Sequence, residues 1–312
     1  GEYVTINAGT GNDSIYLGYN NKIVIQYKNG DGNDTIVGFQ YYYGDNQNTL
    51  QITDGSEVSG WAVEKRNVTD SDTSYYGYGD SDTITLAIGS GSLTFAGAAG
   101  CKFNILDKDG NLTQRYFGPM YVHNDYGSDS DTLITTTEYD DKVFNYRENV
   151  SIETGVGDDS VYNSGENASI NAGAGNDSIE NHSSNVIIRA GADNDLILNG
   201  AYYYRDWNDR TQRYDIIRYY SNNIKNTLID LGDGDDSVYN WASNSTIHGG
   251  AGNDSIFDVG TEHVLLDGGD GNDSIAAEGN FLTIKGGSGN DFISLKSGSH
   301  GHSIHYTSGN DT

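Results

Sequence analysis

The chain of 312 residues is strongly acidic, with 17 Lys and Arg against 45 Asp and Glu and a formal net charge of −28. A surface of this sign repels nucleic acid and anionic membranes, so we exclude both as partners. The single cysteine, Cys101, excludes an internal disulfide framework, and no apolar run approaches the roughly 18 residues of a membrane-spanning helix.

The first 48 residues contain a short repeat. Strand patterns at Val4-Thr5-Ile6 and Ile23-Val24-Ile25 alternate with glycine and aspartate turns at 8–13 and 29–34, which are 21 residues apart. Glycine turns followed by short apolar strands are typical of coils that stack in parallel. We therefore predict a short β-roll segment of two coils over residues 1–48.

Residues 49–122 lack this repeat and alternate with a period of two. Thr83–Ile88, Ser92–Phe95 and Lys102–Ile105 are separated by turn sequences at 89–91 and 107–111. This pattern predicts a small antiparallel β domain. Its polar stretch from Ser56 to Asp82 predicts a long hairpin or loop.

From residue 123 the repeat returns and extends to residue 312. The final acids of successive turns are Asp159, Asp177, Asp195, Asp236, Asp254, Asp273, Asp291 and Asp311, at steps of 18, 18, 41, 18, 19, 18 and 20 residues. Glycine-rich acidic chains are often disordered, but here apolar residues follow the acids at a fixed offset. The pattern predicts an all-β fold, a right-handed parallel β-roll with coils of about 18 residues.

The same alignment predicts the core. One inward column comprises Val161, Ile179, Ile197, Val238, Ile256, Ile275 and Ile293. The facing column comprises Ile170, Ile188, Ile229, Ile247, Leu266, Ile284 and Ile304. Each coil buries only about three or four apolar side chains, at roughly 1.5–3 kcal/mol each. We therefore predict that the fold needs further stabilisation.

The turns have the composition of a site for a hard cation. Glycines allow the backbone to aim several carbonyls at one point, and each aspartate adds an anionic oxygen. Calcium accepts six to eight oxygen ligands in flexible geometry, whereas magnesium requires a small octahedron and zinc prefers nitrogen and sulfur. The turns therefore predict calcium as the bound ion.

Three turns followed by strands, 249–257, 268–276 and 286–294, are near-perfect copies of G-G-x-G-x-D-x-U-x. In this they resemble the RTX (repeats-in-toxin, hemolysin-type) family of calcium-binding β-rolls. The resemblance implies that each ion lies between consecutive turns on one edge, held by aspartate carboxylates and glycine carbonyls. It implies these metal residues: Gly9, Gly11, Asp13, Gly30, Asp31, Gly32, Asp34, Gly155, Gly157, Asp159, Gly173, Gly175, Asp177, Gly191, Asp193, Asp195, Gly232, Asp233, Gly234, Asp236, Gly250, Gly252, Asp254, Gly269, Asp270, Gly271, Asp273, Gly287, Gly289, Asp291 and Asp311.

Several turns depart from the motif. The turns at Asp159 and Asp236 lack the first glycine. In the turn at Asp195, Asp193 replaces a glycine, and we therefore predict a weaker site there. The turns at 77–82, Asp131 and Asp141 are poorer still. A solenoid whose glycine turns bind no metal remains an alternative.

The other edge of the roll has a different composition. Its corners contain asparagine at 163–167, 181–185 and 240–244, with no acidic motif. Stacked asparagines can form a hydrogen-bonded ladder without metal. We therefore expect the calcium ions to lie mainly along one edge.

An insertion at 201–225, between the turns at Asp195 and Asp236, is rich in tyrosine and arginine. Insertions in solenoids often form the binding face, and Tyr and Arg dominate binding hot spots. A hairpin that packs its tyrosines on the roll is the alternative. The candidate ligand residues are Tyr202, Tyr203, Tyr204, Arg205, Trp207, Arg210, Arg213 and Tyr214.

The common motifs of esterases, zinc proteases and cysteine nucleophiles are absent, whereas a glycosidase or lyase with a carboxylate pair stays open, because pairs of acids occur by chance in so acidic a chain. The chain lacks G-x-S-x-G, H-E-x-x-H and the context of a cysteine nucleophile, so we predict that it is not an enzyme. His300, His302 and His305 are candidates for a transition-metal site, but their spacing favours stacked polar residues of a coil.

These observations predict a calcium-folded structural or adhesive segment of a larger secreted or cell-surface bacterial protein, exported by a type I-like route. Glycan or protein recognition through the insertion is one alternative, and the non-catalytic tail of a secreted enzyme is another. Because the chain opens before half a repeat and closes inside a turn, we expect it to be part of a longer polypeptide.

Overall fold

The structure is a computed structural model that describes residues 4–17, 22–38, 48–64, 83–96, 102–116, 119–124, 132–208, 213–220, 223–259 and 261–312. These residues form β-strands, turns and bends, without a helix. Accordingly, the described part of the chain contains no helix of the length and hydropathy needed to cross a membrane. The contacts divide the chain into two units, Gly1–Tyr121 and Val122–Thr312.

The strands of unit 1 are short, because each covers one side of a coil. They are β1 (Val4–Asn7), β2 (Ser14–Tyr16), β3 (Ile23–Tyr27), β4 (Asn33–Val37), β5 (Thr49–Ile52), β6 (Val58–Glu64), β7 (Thr83–Ile88), β8 (Gly91–Ala96), β9 (Lys102–Leu106) and β10 (Leu112–Tyr116).

The strands of unit 2, with β11 at its start, repeat with the period of the turns. They are β11 (Tyr121–Asn124), β12 (Leu133–Thr135), β13 (Lys142–Asn145), β14 (Ser151–Val156), β15 (Ser160–Asn163), β16 (Ser169–Ala174), β17 (Ser178–Asn181), β18 (Ile187–Ala192), β19 (Leu196–Asn199), β20 (Ala201–Asn208), β21 (Arg213–Tyr220), β22 (Leu228–Asp233), β23 (Ser237–Asn240), β24 (Thr246–Ala251), β25 (Ser255–Asp258), β26 (Leu265–Asp270), β27 (Ser274–Ala277), β28 (Thr283–Ser288), β29 (Phe292–Leu295) and β30 (Ser303–His305).

Unit 2 is a parallel β-solenoid, as the repeat predicts. One nine-stranded sheet has the order β11-β13-β15-β17-β19-β23-β25-β27-β29. The other has the order β12-β14-β16-β18-β22-β24-β26-β28-β30. Equivalent residues of successive coils pair directly, as Val161 pairs with Ile179 and Ile170 with Ile188. Every turn and corner therefore forms a straight column along the stack.

The two predicted inward columns are confirmed as the core of unit 2. Twelve of their fourteen members are at most 1% exposed, while Ile293 and Ile304 in the last coil are partly buried. The columns continue toward the start of the unit with Val143 and Ile152, which are both 0% exposed. The core thus runs through the solenoid as two facing rows of branched aliphatic side chains.

Unit 1 begins as a roll and continues with antiparallel strands in the same two sheets. One sheet has the order β1-β3-β5-β9-β10 and the other has the order β2-β4-β8-β7-β6. β5, β8 and β9 pair in parallel with strands of the stack, whereas β10, β7 and β6 pair antiparallel. The predicted strands and antiparallel pairs of 49–122 therefore extend the sheets of the first coils. That residues 49–122 form a domain of their own, separate from residues 1–48, stays a prediction.

The insertion after β19 forms a two-stranded antiparallel ribbon, β20 and β21. Its register places Tyr203 opposite Arg218 and Trp207 opposite Tyr214. The solenoid resumes on the far side without a shift, because β19 pairs in parallel with β23. The inserted residues are thus an addition to the coil and do not replace a part of it.

Candidate metal centre

The predicted acidic turns lie on one edge of unit 2, each just before a strand of the β11-containing sheet. Their glycines take left-handed φ values, such as +109° at Gly250 and +133° at Gly252. Glycine is also required by the spacing between coils. A Cβ on Gly250 would lie 2.0 Å from the carbonyl oxygen of Gly232, closer than real Cβ atoms approach. Successive turns therefore stack with their backbones in direct contact.

The final aspartates of these turns form a buried column. Asp159, Asp177, Asp195, Asp236, Asp254, Asp273 and Asp291 are each at most 3% exposed. In each coil the aspartate N–H donates to Oδ1 of the next aspartate, over 2.8 Å from Asp159 to Asp177 and 2.7 Å from Asp177 to Asp195. The same bond spans the insertion, over 2.7 Å from Asp195 to Asp236. One carboxylate oxygen of each residue is thereby fixed.

The second oxygen of each of these carboxylates has no partner. Oδ2 is buried and makes no hydrogen bond in Asp159, Asp177, Asp195, Asp236, Asp254, Asp273 and Asp291. A buried acceptor without a donor costs roughly 1–3 kcal/mol, and more when it is charged. The column therefore contains seven buried oxygen atoms that need a proton or a cation.

The ionisation of the column reflects the same deficit. Burial raises the pKa of Asp177, Asp195 and Asp254 to about 7, although each accepts a backbone hydrogen bond that lowers it. Burial likewise raises the pKa of Asp159 and Asp273 to about 6. Neighbouring aspartates add to the rise in these groups, because like charges lie one coil apart. Without a cation, the charged form of the column is unfavourable.

The donors present fit calcium. Within the described residues, no three His, Cys, Asp or Glu side chains come together as a metal-holding group. A cation on this edge must therefore take backbone carbonyls along with the aspartates, and an all-oxygen set of that kind suits calcium. The unpartnered Oδ2 atoms and the closely stacked glycine carbonyls are the groups that would hold it.

The other predicted metal residues of unit 2 differ in their exposure. Asp193, Asp233 and Asp270 are exposed and lie outside the buried column. Asp193 adopts φ +77° at the position of a glycine, a conformation that Asp tolerates better than most residues. Asp311 is half-buried, and its Oδ1 accepts the N–H of Asp291 over 3.1 Å. The column thus continues to the last turn.

The degraded turn at Asp141 joins the column but its carboxylate is satisfied. Asp141 N–H donates to Oδ1 of Asp159 over 2.7 Å. Its own carboxylate accepts the N–H of Thr137 over 2.7 Å and the hydroxyl of the same residue. The turns at 77–82 and at Asp131 lie outside the described residues.

Unit 1 has a shorter version of the same arrangement. Asp13 N–H donates to Oδ1 of Asp34 over 2.9 Å, and Asp13 Oδ2 is buried without a hydrogen bond. Asp31 is 1% exposed and its Oδ1 also has no hydrogen bond. Burial raises the pKa of Asp34. The column stops at the next coil, where Leu93 pairs with Asp34.

The opposite edge of unit 2 confirms the predicted amide ladder. Each Nδ2 donates to Oδ1 of the next coil through Asn124, Asn145, Asn163, Asn181, Asn199 and Asn240, over distances of 2.7–2.9 Å. Asn163 also donates to the carbonyl of Gly165 over 3.0 Å. Amides supply donors and acceptors together, so this edge needs no ion.

The ladder ends on Asp258, an acid that the asparagine pattern does not predict. Asn240 Nδ2 donates to Asp258 Oδ1 over 2.7 Å, and the Thr261 hydroxyl donates to the same carboxylate over 2.7 and 2.6 Å. Asp258 is 0% exposed, and burial raises its pKa to about 6. The only sequence signal was an acid at the position that asparagine holds in earlier coils.

The remaining candidates occupy other positions. Tyr202, Tyr203, Tyr204, Arg205 and Trp207 lie on β20, Arg213 and Tyr214 lie on β21, and Arg210 lies outside the described residues. His300, His302 and His305 do not form a metal-holding group in the described part of the chain. His305 lies on β30, where Ser303 Oγ is 3.0 Å from its Nε2.

A parallel solenoid with a column of unpartnered buried carboxylates along one edge is a β-roll with candidate cation sites. Four segments, residues 5–21, 232–257, 260–280 and 283–299, match the family model of the RTX calcium-binding nonapeptide repeat. These repeats and the solenoid fit the RTX β-roll family. No curated protein sequence matches the chain.

Proposed function

We propose that this chain is a calcium-folded structural or adhesive segment of a larger secreted or cell-surface bacterial protein. The observation that carries this proposal is the column of buried Asp Oδ2 atoms without hydrogen bonds. The matching RTX repeats support calcium as the ion. The proposed role is structural, and no residue is assigned to catalysis.

The aspartates act in pairs along the stack. Oδ1 holds the backbone N–H of the preceding coil, which orients the carboxylate and leaves Oδ2 directed to the ion. Bound calcium supplies the positive charge that offsets the repulsion between aspartates one coil apart. The turn glycines let carbonyls approach the same region because they carry no side chain. Ion binding and coil stacking are therefore one process.

This coupling suits a protein that folds after export. A chain whose acidic column repels itself stays unfolded where calcium is scarce and folds where it is abundant. Extracellular calcium modules typically bind with dissociation constants of about 10⁻⁴–10⁻³ M. RTX repeats are typical of secreted bacterial proteins, and we propose a type I-like export route and a rigid spacer or adhesive role outside the cell.

Titration of the metal-stripped chain with calcium tests this function. Far-UV circular dichroism is recorded as calcium is added, with magnesium as the control ion. We expect a cooperative gain of β-structure with calcium alone, because magnesium requires a smaller octahedral site. A full β-spectrum in chelator that calcium does not stabilise against heat would refute the proposal.

Recognition of a glycan or protein by the ribbon β20–β21 is a second candidate function. It is favoured by the unbroken register on either side of the insertion, since the solenoid does not need these residues to stack. Deleting residues 201–222 tests it. We expect the calcium-driven transition to remain and binding on glycan or surface-protein arrays to be lost. Unchanged binding would show that the ribbon is not the binding site.

A further inference from the structure

The coils of unit 2 differ at one position beside the buried carboxylate. We name the residue five positions before the final aspartate, which is the first glycine of a complete G-G-x-G-x-D turn, the lead residue. In the seven acidic turns from Asp159 to Asp291 the lead residues are Thr154, Ala172, Ala190, Leu231, Gly249, Gly268 and Gly286. The first four are at most 1% exposed, so their side chains are inside the solenoid. In the first four coils a buried side chain therefore lies beside the aspartate column, and in the last three coils no side chain occupies this position.

Two oxygens converge beside the glycine leads. A Cβ on Gly249 would lie 2.3 Å from Asp254 Oδ2 and 2.0 Å from the carbonyl oxygen of Gly268. A Cβ on Gly268 would lie 2.3 Å from Asp273 Oδ2 and 2.3 Å from the carbonyl oxygen of Gly286. Both carboxylate oxygens are buried and make no hydrogen bond. A carboxylate and a carbonyl of the next coil thus face one another with no side chain between them.

At Gly286 the arrangement is only half complete. A Cβ there would lie 2.3 Å from Asp291 Oδ2, but no carbonyl oxygen of the next coil is among the three atoms nearest to it. The turns at Asp254 and Asp273 therefore have the fullest set of converging oxygens.

The earlier coils fill this space with a side chain. The Thr154 hydroxyl donates to the carbonyl of Ala172 over 2.8 Å, and Thr136 donates to the carbonyl of Thr154 over the same distance. Ala172, Ala190 and Leu231 place apolar carbon at the equivalent position. In the Thr154 coil the carbonyl of the next coil is already hydrogen-bonded, and in the alanine and leucine coils a buried side chain occupies the position that is open in the glycine-led turns.

We propose that the lead residue sets the calcium affinity of each coil, so that the turns at Asp254 and Asp273 bind calcium first and most tightly. The coils led by Thr154, Ala172, Ala190 and Leu231 bind it more weakly. This inference rests on the proposed function, since it assigns an order to the same sites. Calcium requires at least six oxygens, so the loss of one carbonyl ligand weakens a site.

A separate observation agrees with this order. Within unit 2 the matches to the RTX repeat are confined to residues 232–299, which contain all three glycine leads. The coils from Thr154 to Ala190 have the acidic turns but no match. The three glycine-led turns therefore lie in the part of unit 2 that matches the RTX repeat, together with the turn at Asp236.

Two turns in the chain differ only in the lead residue. Residues 172–177 read A-G-A-G-N-D and residues 249–254 read G-G-A-G-N-D. The substitutions Ala172→Gly and Gly249→Ala therefore exchange the two turn sequences. Gly279→Ala is the steric control, because a Cβ there would lie 2.4 Å from the Thr261 carbonyl and 2.9 Å from Asp258 Oδ2 on the opposite edge.

The test is isothermal titration calorimetry of the full chain with calcium. For Gly249→Ala we expect at least about tenfold weaker binding or loss of one tight site, which is about 1.4 kcal/mol or more. Ala172→Gly should gain a tight site, and Gly279→Ala should leave the dissociation constants of the tight sites unchanged. Absence of calcium binding by the unmodified chain would refute the proposed function itself.

The two substitutions separate folding from binding. If the unmodified chain binds calcium and Gly249→Ala retains every tight site, the order of affinity is refuted while calcium binding stands. If Gly249→Ala and Gly279→Ala both lose binding through misfolding, Ala172→Gly decides the question. A gained tight site then supports the inference, and an unchanged number of tight sites overturns it.

Discussion

The two edges of unit 2 solve the same packing problem with different chemistry. Asp177 immediately precedes β17, and Asn181 ends it, so one strand contributes to both columns. Both side chains are buried and both columns are in register. The amides close on themselves, whereas each carboxylate keeps one oxygen without a partner. A difference of one functional group thus decides which edge keeps buried oxygens without hydrogen bonds.

On the proposed function, this comparison puts the need for calcium on the acidic edge alone. An amide has a donor for every acceptor, so a column of amides is satisfied in any number of coils. A carboxylate has acceptors alone, so each added coil adds one oxygen to the deficit. The solenoid therefore combines an edge whose side chains satisfy one another with an edge whose carboxylates need a further partner.

Exchanging the chemistry of the amide edge gives the largest expected effect. Asn181→Asp removes the donors to Asn199 Oδ1 and to the Ser183 carbonyl and buries an uncompensated charge. We expect the free energy of unfolding to fall by about 3–5 kcal/mol. Saturating calcium should not restore it, because this edge lacks the acidic glycine turns. Chemical unfolding in calcium measures the change, and unaltered stability would contradict it.

The reverse exchange, from aspartate to asparagine, should raise the free energy of unfolding without calcium and lower it with calcium. Asp254→Asn replaces the unpartnered Oδ2 by a donor, so in chelator we expect a gain of about 1 kcal/mol in the free energy of unfolding. With calcium at 100 times its dissociation constant, the variant should lose about 2.7 kcal/mol of binding stabilisation at that site. Thermal unfolding in both conditions measures this. A variant that is less stable than the unmodified chain in chelator would show that the amide finds no acceptor there.

The acid that ends the amide ladder predicts a pH dependence. The pKa of Asp258 is raised to about 6, above the ordinary value of about 3.9, so its neutral form is favoured in the fold. Its contribution to stability, about 3 kcal/mol, is fully present below about pH 4 and is lost as the pH rises through about 6. Unfolding of the unmodified chain and of Asp258→Asn is compared between pH 4.5 and 7.5, in saturating calcium. Parallel pH profiles would contradict this assignment.

The smallest effect is expected in a third column, which is exposed. Asn176 Oδ1 accepts the N–H of Asn194 over 3.2 Å, and Asp158 accepts the N–H of Asn176 over 2.8 Å in the same way. Asn176→Asp keeps this acceptor, so stability should change by less than about 0.5 kcal/mol. Chemical unfolding beside Asn181→Asp tests whether burial, and not the column itself, makes the difference. A loss comparable to that of Asn181→Asp would show that it does not.

The periodic features of this chain were predictable from sequence because one rule acts in every coil. The inward aliphatic columns, the acidic edge and the asparagine edge all follow from residues that recur at a fixed step. Stacking in register then converts a position in the sequence into a column in space. The number of residues between coils matters less than the position at which each strand starts.

Features that depend on a single coil were not predictable. Alternation in 91–96 indicates a strand but not that β8 joins β4 in parallel, because the pattern is the same for either direction. Asp31 and Asp270 hold the same motif position, yet Asp31 is buried and Asp270 is exposed. The Lys28 N–H donates to Asp31 over 3.1 Å and holds its side chain inward. Local partners of this kind have no periodic signal.

The ribbon leaves the solenoid directly after Asn199, at the amide edge, and the chain rejoins the stack near Lys225. Asp195 and Asp236 are 41 residues apart in sequence, yet the hydrogen bond between them is 2.7 Å long. The bond between Asp177 and Asp195, which are 18 residues apart, has the same length. The corner after Asn199, on the amide edge, therefore tolerates an insertion. A foreign peptide grafted there would be displayed on the side of the solenoid opposite the column of buried aspartates.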